Sequence, residues 1–64
     1  MDIGLKIKSI REKTGLTQTE FADKIAVSQS YLSKVESGNR HPNYAMLIML
    51  RAVFKINLNK LADH

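Results

Sequence analysis

Apolar residues near the start of the chain recur three and four positions apart, which is the spacing of a helix with one buried face. The residues that share this face are Ile3, Ile7, Ile10 and Thr14. Asp2 can cap the start of such a helix, and Gly15 can adopt the left-handed backbone that ends one. The pattern therefore predicts a first helix between Asp2 and Gly15.

The segment TQTE that follows has the form of a capping box. In this arrangement the Thr17 hydroxyl accepts a hydrogen bond from an amide of the first turn, and Glu20 reaches back to the Thr17 amide. The box predicts the start of a second helix, about two turns long. Its inward positions are Phe21, Ala22 and Ile25.

A third helix is predicted after a very short connection. Ser28 offers a second cap, and Gly38 follows Ser37 as the residue that ends the helix. Two short helices joined by so tight a turn predict a helix-turn-helix, which leaves one face of its second helix exposed.

The rest of the chain predicts one longer helix and a short final one. Pro42 prevents continuation of the third helix, Asn43 can cap a fourth that reaches about Phe54, and Asn57 can start a last helical turn. We therefore expect one all-α domain of five helices over residues 1–64.

Composition narrows the class of protein. The 64 residues are 44% hydrophobic and include no cysteine, so we expect a small core without disulfides or thiolate metal sites. The longest apolar run, YAMLIML, is far shorter than the ~20 residues of a membrane span. We expect a cytoplasmic protein without a membrane segment, cofactor or enzymatic activity, because no paired carboxylates, phosphate loop or nucleophile constellation is present.

Charge and helical phase point to a polyanionic partner. The net charge is +4, and a wheel of residues 28–37 gathers its polar side chains within an arc of about 140°. The side chains in this arc are Gln29, Ser30, Ser33, Lys34 and Ser37. They offer donors and acceptors of the kind that base edges in the major groove require, and the arc holds no carboxylate. The alternative is an ordinary solvated helix face.

Two further groups favour double-stranded DNA over that alternative. Gln18 opens the second helix, where it can hold a phosphate, and Asn39, Arg40 and His41 form a polar cluster after the third. His41 is predicted to be a loop residue rather than a metal ligand, because His64 is the one other histidine.

The segment GLTQTEFADKIAVSQSYLSKVESGNRHPN, residues 15–43, closely resembles the helix-turn-helix of phage-repressor and Cro-like regulators, the Xre family. IGLKIKSIREKTG and NLNKL resemble that family's first and last helices. The resemblance implies a five-helix, lambda-repressor-like DNA-binding domain whose third helix enters the major groove.

The resemblance also implies roles for individual residues. The base-contacting set would be Gln29, Ser30, Ser33 and Lys34, and the phosphate-contacting set Gln18, Ser28, Tyr31, Asn39 and Arg40. Tyr31 is expected to combine packing against the second helix with a hydroxyl that faces the DNA backbone. Arg11 and Glu36 would form an ion pair between the first and third helices. Ala26 and Lys55 stand where the family often has glycine, which predicts local strain at both positions.

The predicted fourth helix, YAMLIMLRAVF, is apolar on nearly every side, whereas a surface helix needs about three or four inward residues per two turns. If Leu47, Leu50 and Phe54 face inward with Ile48 or Val53, other apolar residues remain outside. The predicted dimer or partner surface is Ala45, Met46, Met49 and Ala52, with Leu58. The alternative is that the small domain buries this helix on most sides.

These expectations combine in a sequence-specific transcriptional regulator, most simply a repressor, that reads a palindromic operator as a homodimer. The alternative is a protein-interaction module, such as an antitoxin or anti-repressor, that binds a protein partner through the fourth and fifth helices.

Overall fold

The computed structural model describes residues 3–56. Over that range it consists of four α-helices without a β-strand: α1 (Ile3–Thr14), α2 (Gln18–Lys24), α3 (Gln29–Glu36) and α4 (Tyr44–Phe54). The all-α prediction is confirmed for this part of the chain. The predicted cap Asp2, the fifth helix that would start at Asn57, and Leu58 lie outside the described residues.

The predicted caps of the helix-turn-helix form as the residue types require. Thr17 Oγ1 accepts from the Glu20 amide at 3.1 Å, and Glu20 Oε1 accepts from the Thr17 amide at 2.9 Å, which completes the capping box. Ser28 Oγ accepts from the Tyr31 amide at 3.0 Å and starts α3. Each cap satisfies an amide that the helix itself leaves unpaired, so both short helices have fixed starting points.

The capping box predicts a pH dependence. The hydrogen bond from the Thr17 amide, followed by that from its hydroxyl, lowers the pKa of Glu20 below its ordinary value of 4.5. A carboxyl whose folded pKa is depressed contributes stability that is present above its unfolded pKa and is lost as the pH falls through its folded pKa. In Glu20→Gln this loss below pH 4.5 should be smaller than in the unaltered protein.

NMR titration of the Glu20 carboxyl and urea unfolding between about pH 3 and 6 measure this effect, a range that brackets the ordinary pKa of 4.5 for this carboxyl. Asp23, which is also exposed on α2, supplies the matched control as Asp23→Asn. A Glu20 midpoint at or above its ordinary value would contradict the box as a source of acid sensitivity.

Four residues adopt the left-handed backbone at helix ends. Gly15 and Gly38 have φ of 78° and 85°, as predicted, and Ala26 and Lys55 have φ of 60° and 58°. At the end of α3 the Gly38 amide donates to Val35 O at 3.1 Å and the Asn39 amide donates to Lys34 O at 2.9 Å, the paired bonds of a Schellman motif. The two non-glycine positions therefore adopt the left-handed backbone at which a side chain is expected to be strained.

Ala26→Gly is expected to stabilise the fold by about 0.5–1 kcal/mol, because glycine removes the cost of a side chain at positive φ but adds freedom to the unfolded chain. Ala52→Gly, an alanine-to-glycine change within α4, should instead destabilise by up to about 1 kcal/mol. Thermal unfolding of both variants by circular dichroism provides the comparison. A lower Tm for Ala26→Gly would mean that the left-handed alanine carries no strain.

The core lies where the faces of all four helices meet. The fully buried apolar side chains are Ile7, Phe21, Ala22, Ile25, Leu32, Val35, Met46 and Leu50. Phe21 of α2 stacks on Phe54 of α4, with ring centroids 4.5 Å apart and the planes 13° from parallel. The predicted inward positions of α2 are confirmed. Thr14, which was predicted to share the buried face of α1, is exposed in the last turn of that helix.

The predicted inward positions Leu47, Leu50 and Phe54 of α4 are confirmed, but the assignment of its other apolar residues is partly wrong. Met46, assigned to the outer surface, is fully buried, and Met49 is half-buried against the core. Ile48 and Val53, offered as inward residues, are 38% and 40% exposed. The stripe Met46, Leu50, Phe54 has four-residue spacing and includes the ring that stacks on Phe21, so this stacking is consistent with the observed rotation of the helix.

Candidate nucleic-acid interface

The polar face of α3 is exposed to solvent. Gln29, Ser30 and Lys34 are exposed and Ser33 is half-buried, whereas Leu32 and Val35, on the opposite side, are buried. The one carboxylate of α3, Glu36, is 4% exposed. The helix therefore exposes hydroxyl groups, a carboxamide and one ammonium group to solvent. It exposes no acidic side chain that would repel phosphate.

Glu36 is held by an arginine from another helix, as the resemblance implied. Arg11 Nε donates to Glu36 Oε2 at 2.7 Å and its Nη2 donates to Oε1 at 3.1 Å, so the contact is bidentate. Arg11 Nη1 also donates to the Leu16 carbonyl at 3.0 Å. The hydrogen bond with Glu36 is the main cause that raises the pKa of Arg11 above its ordinary value. This pair ties α3 to α1 and to the segment before α2.

A chain of carboxamides extends from this pair to the exposed end of α3. Gln18 Nε2 donates to Glu36 Oε1 at 2.9 Å, and Gln29 Nε2 donates to Gln18 Oε1 at 2.7 Å. Gln18 and Gln29 were each predicted to lie near DNA, but the contact between them, which joins residues eleven positions apart, was not predicted. No local periodicity signals such a bond, because it depends on how α2 and α3 cross.

Tyr31 joins α3 to the loop that follows it. Its hydroxyl donates to the His41 carbonyl at 3.1 Å and accepts from the Asn43 amide at 2.8 Å. A phenol has one proton to donate, so a phosphate contact through this proton would require the bond to His41 to break. Tyr31 is half-buried against the hydrophobic core, and its packing against the second helix stays a prediction.

The other predicted phosphate ligands lie at the two ends of α3. Ser28, Asn39 and Arg40 are all exposed. Ser28 Oγ accepts one amide as the cap and keeps its own proton for donation. Asn39 Nδ2 donates to Ser37 Oγ at 3.0 Å, so one of its two N–H bonds is already directed within the loop. With Gln18 at the start of α2, these groups flank the exposed face on both sides.

None of the helices in residues 3–56 combines the length and apolar character needed to cross a bilayer. Within the same range, no three acidic, histidine or cysteine side chains converge in a way that could hold a metal ion.

Comparison with known proteins agrees with this geometry. A family model described as helix-turn-helix matches residues 7–61. The chain is 36% identical over 59 residues to the uncharacterized HTH-type transcriptional regulator YazB of Bacillus subtilis, a match that covers 92% of this chain and 86% of YazB. It is 34% identical to the regulator SinR of the same organism over 95% of this chain and 56% of SinR.

Other relatives extend well beyond the matched region. The immunity repressor of Bacillus phage phi105 is 31% identical over 95% of this chain, which spans 42% of that repressor. The chain spans 13% and 30% of two further regulators. No solved structure matches this chain significantly. The family match over most of the chain, together with the capped helix pair and the paired Arg11 and Glu36, shows that this chain belongs to the Xre family of phage-repressor and Cro-like helix-turn-helix proteins.

Proposed function

We propose that the chain is a sequence-specific DNA-binding transcriptional regulator that inserts α3 into the major groove. The observation that carries this proposal is the exposed, carboxylate-free face of α3, which has capped ends and is fixed to α1 through Glu36. A rigid helix with donors and acceptors along one side is the element that a major groove admits and that base edges can pair with. Repression by occupation of an operator is the simplest outcome.

The role proposed for each residue follows from its position on α3 or beside it. The base-contacting residues proposed are Gln29, Ser30, Ser33 and Lys34. The phosphate-contacting residues proposed are Gln18, Ser28, Asn39 and Arg40. Tyr31 supports these contacts from within by fixing the loop after α3. Phosphate contacts set the register of the helix on the duplex, and base contacts choose the sequence.

Gln29 keeps a limited set of hydrogen-bonding groups for contact with a base. One of its two N–H bonds is donated to Gln18 at 2.7 Å, which leaves one N–H and the carbonyl oxygen for a ligand. Adenine presents N7 as an acceptor and N6 as a donor in the major groove, so it matches this pair of groups. We therefore propose that Gln29 reads an adenine.

A homodimer is proposed through the outward face of α4, which carries Tyr44 at 75% exposure and Ile48 at 38%, with exposed Ala45 and Ala52 beside them. Met46 is excluded from this surface because it is buried. Two copies related by a two-fold axis would present their α3 helices to half-sites about 34 Å apart, which predicts a palindromic operator. Sedimentation that shows monomer alone at micromolar concentration, with and without operator DNA, contradicts the dimer.

The same apolar face supports a second candidate, in which α4 binds a protein partner as an antitoxin or anti-repressor would. This alternative predicts that neutralising Lys34 and Arg40 leaves the biological activity intact, because neither residue lies on α4. Substituting Ile48 with glutamate should abolish activity under the alternative. Under the dimer proposal it should weaken operator binding while binding of a single half-site persists.

Selection from a randomised DNA pool at moderate salt tests the main proposal directly. The expected product is an enriched site with two inverted halves and adenine at one position of each half. If no sequence is enriched, and the recovered DNA binds this protein no more tightly than it binds an inert basic protein of similar charge, sequence-specific recognition is overturned.

Two substitutions should separate base readout from charge. Gln29→Ala should reduce discrimination at one base pair by about 1–3 kcal/mol, whereas Lys34→Ala should weaken binding to all sequences and reduce the slope of log K against log salt by about one. Lys8→Ala removes an equal charge from the exposed side of α1 and is the control for Lys34→Ala. Fluorescence anisotropy titrations on selected and scrambled duplexes measure both quantities. Equal losses on the two duplexes for Gln29→Ala would contradict base readout.

A further inference from the structure

The outward face of α4 is apolar at its centre and positively charged at one end. Tyr44 and Ile48 are 75% and 38% exposed. At about 100° per residue, Arg51 lies on the same face, one turn beyond Ile48, and its side chain is exposed. Lys55, the residue that ends the helix, is exposed at the same end. The face therefore combines an apolar surface with two cations.

No carboxylate on this half of the chain balances the two cations. Residues 37–62 contain neither aspartate nor glutamate. Within residues 3–56, neither Arg51 nor Lys55 forms an ion pair. The exposed carboxylates of that range lie on α1 and α2, namely Glu12, Glu20 and Asp23. The end of a helix itself supplies about half a negative charge, which two cations exceed, so this end of the face stays positive.

We propose that the outward face of α4 binds an acidic amphipathic helix of another protein in preference to a second copy of this chain. The inference rests on the proposed function, since it names the partner of a face used there as an interface. In a two-fold pair the face meets itself, so its cations meet a surface that holds cations and no carboxylate. A helix whose apolar side is bordered by aspartate and glutamate covers the apolar centre and also pairs with Arg51 and Lys55.

Such a partner competes with the proposed homodimer. Two copies need this face in order to present two α3 helices to one operator, so its occupation leaves a single α3 helix in each complex. The gain in affinity from linking two reading helices is then lost. The partner therefore lowers operator affinity without contact with α3.

A charge-reversed copy of the chain tests the preference of the face. Arg51→Glu/Lys55→Glu keeps the apolar centre and places two carboxylates beside it, so this copy serves as the acidic probe. At about 50 mM salt, the mixed pair of unaltered and reversed copies should have a Kd about tenfold lower than either self-pair. Sedimentation velocity with one copy fluorescently labelled measures all three constants. Equal affinity of mixed and self-pairs overturns the proposal.

Salt dependence and a matched control separate local charge from net charge. Screening should weaken the mixed pair and strengthen both self-pairs, so their difference should shrink to about twofold at 0.5 M salt. Lys8→Glu/Lys13→Glu reverses two exposed charges on α1 and should change pairing by less than about twofold. If this control pairs with the unaltered chain as tightly as the reversed copy does, net charge alone acts and the proposal is overturned.

A neutral variant keeps the test decisive if two acids at the end of α4 prevent folding. Arg51→Gln/Lys55→Gln removes the repulsion without adding a carboxylate. Its self-association at low salt should be about threefold tighter than that of the unaltered chain. Unchanged self-association of this neutral copy overturns the proposal.

A reversed copy that cannot bind DNA tests competition. Adding Lys34→Glu and Arg40→Glu to the reversed copy removes two proposed DNA contacts. This copy should displace the unaltered protein from its selected operator at a concentration about tenfold lower than a copy that carries the same two changes but retains Arg51 and Lys55. Equal displacement by the two copies overturns the proposal.

The two sets of measurements fail independently. Preferred mixed pairing without any selected operator refutes the proposed DNA-binding function alone. Operator selectivity with equal mixed and self-pairing refutes the preference for an acidic partner alone.

Discussion

Glu36→Leu is expected to bring the domain close to unfolding, because it leaves the Arg11 guanidinium without its carboxylate at a position that is 14% exposed. Removing one partner of a buried ion pair typically costs about 3–5 kcal/mol. A single small core rarely supplies more than about 3–5 kcal/mol of net stability. Urea titration followed by circular dichroism should therefore show little or no folded baseline for this variant.

The matched control is Arg11→Met/Glu36→Leu, which removes both charges. It should stay folded and lie within about 2 kcal/mol of the unaltered protein, because replacing a buried pair by apolar residues of similar volume is often nearly neutral. It also loses the Arg11 bond to the Leu16 carbonyl, so a small net loss is expected. Equal stability of the single and double variants would mean that Arg11 reaches water when its partner is absent.

Met46→Ala is expected to lower the free energy of unfolding by about 2–5 kcal/mol, since the side chain is fully buried and its removal leaves a cavity in a small core. For a domain of this size each kcal/mol lowers the Tm by about 4–8 °C. Ile48→Ala, two positions along α4 and 38% exposed, should cost less than about 1 kcal/mol. Thermal and urea unfolding of both variants provide the measurement.

This pair of substitutions distinguishes the two possible phases of α4. If Ile48→Ala proved as costly as Met46→Ala at a concentration where the protein is monomeric, the helix would be buried on both sides and its outward face could not serve as an interface. If Met46→Ala proved mild, Met46 would lie at the surface as the sequence pattern indicated.

The helix ends were predictable from sequence because each depends on chemistry within a few residues. Thr17, Ser28 and Asn43 cap helices through amides three positions along the chain, and Gly15 and Gly38 adopt the backbone that only glycine takes without strain. These local signals, together with the burial of Phe21, defined the helix-turn-helix correctly.

The rotation of α4 was not predictable in the same way. Its phase is normally read from the contrast between polar and apolar sides, and YAMLIMLRAVF gives almost none. The choice of Met46 over Ile48 for the core depends on contacts with other helices, such as the stacking of Phe54 on Phe21. The same limit applies to the bond between Gln29 and Gln18, which exists because two helices cross at a particular place.

The two hydrogen bonds of the Tyr31 hydroxyl lower the entropic cost of docking any molecule on α3. Since one phenol oxygen joins the His41 carbonyl and the Asn43 amide, the connecting segment is already ordered against the helix before an encounter takes place. Less conformational entropy is then lost on association, and the contacts proposed for Arg40 and Lys34 would form together on one ordered surface.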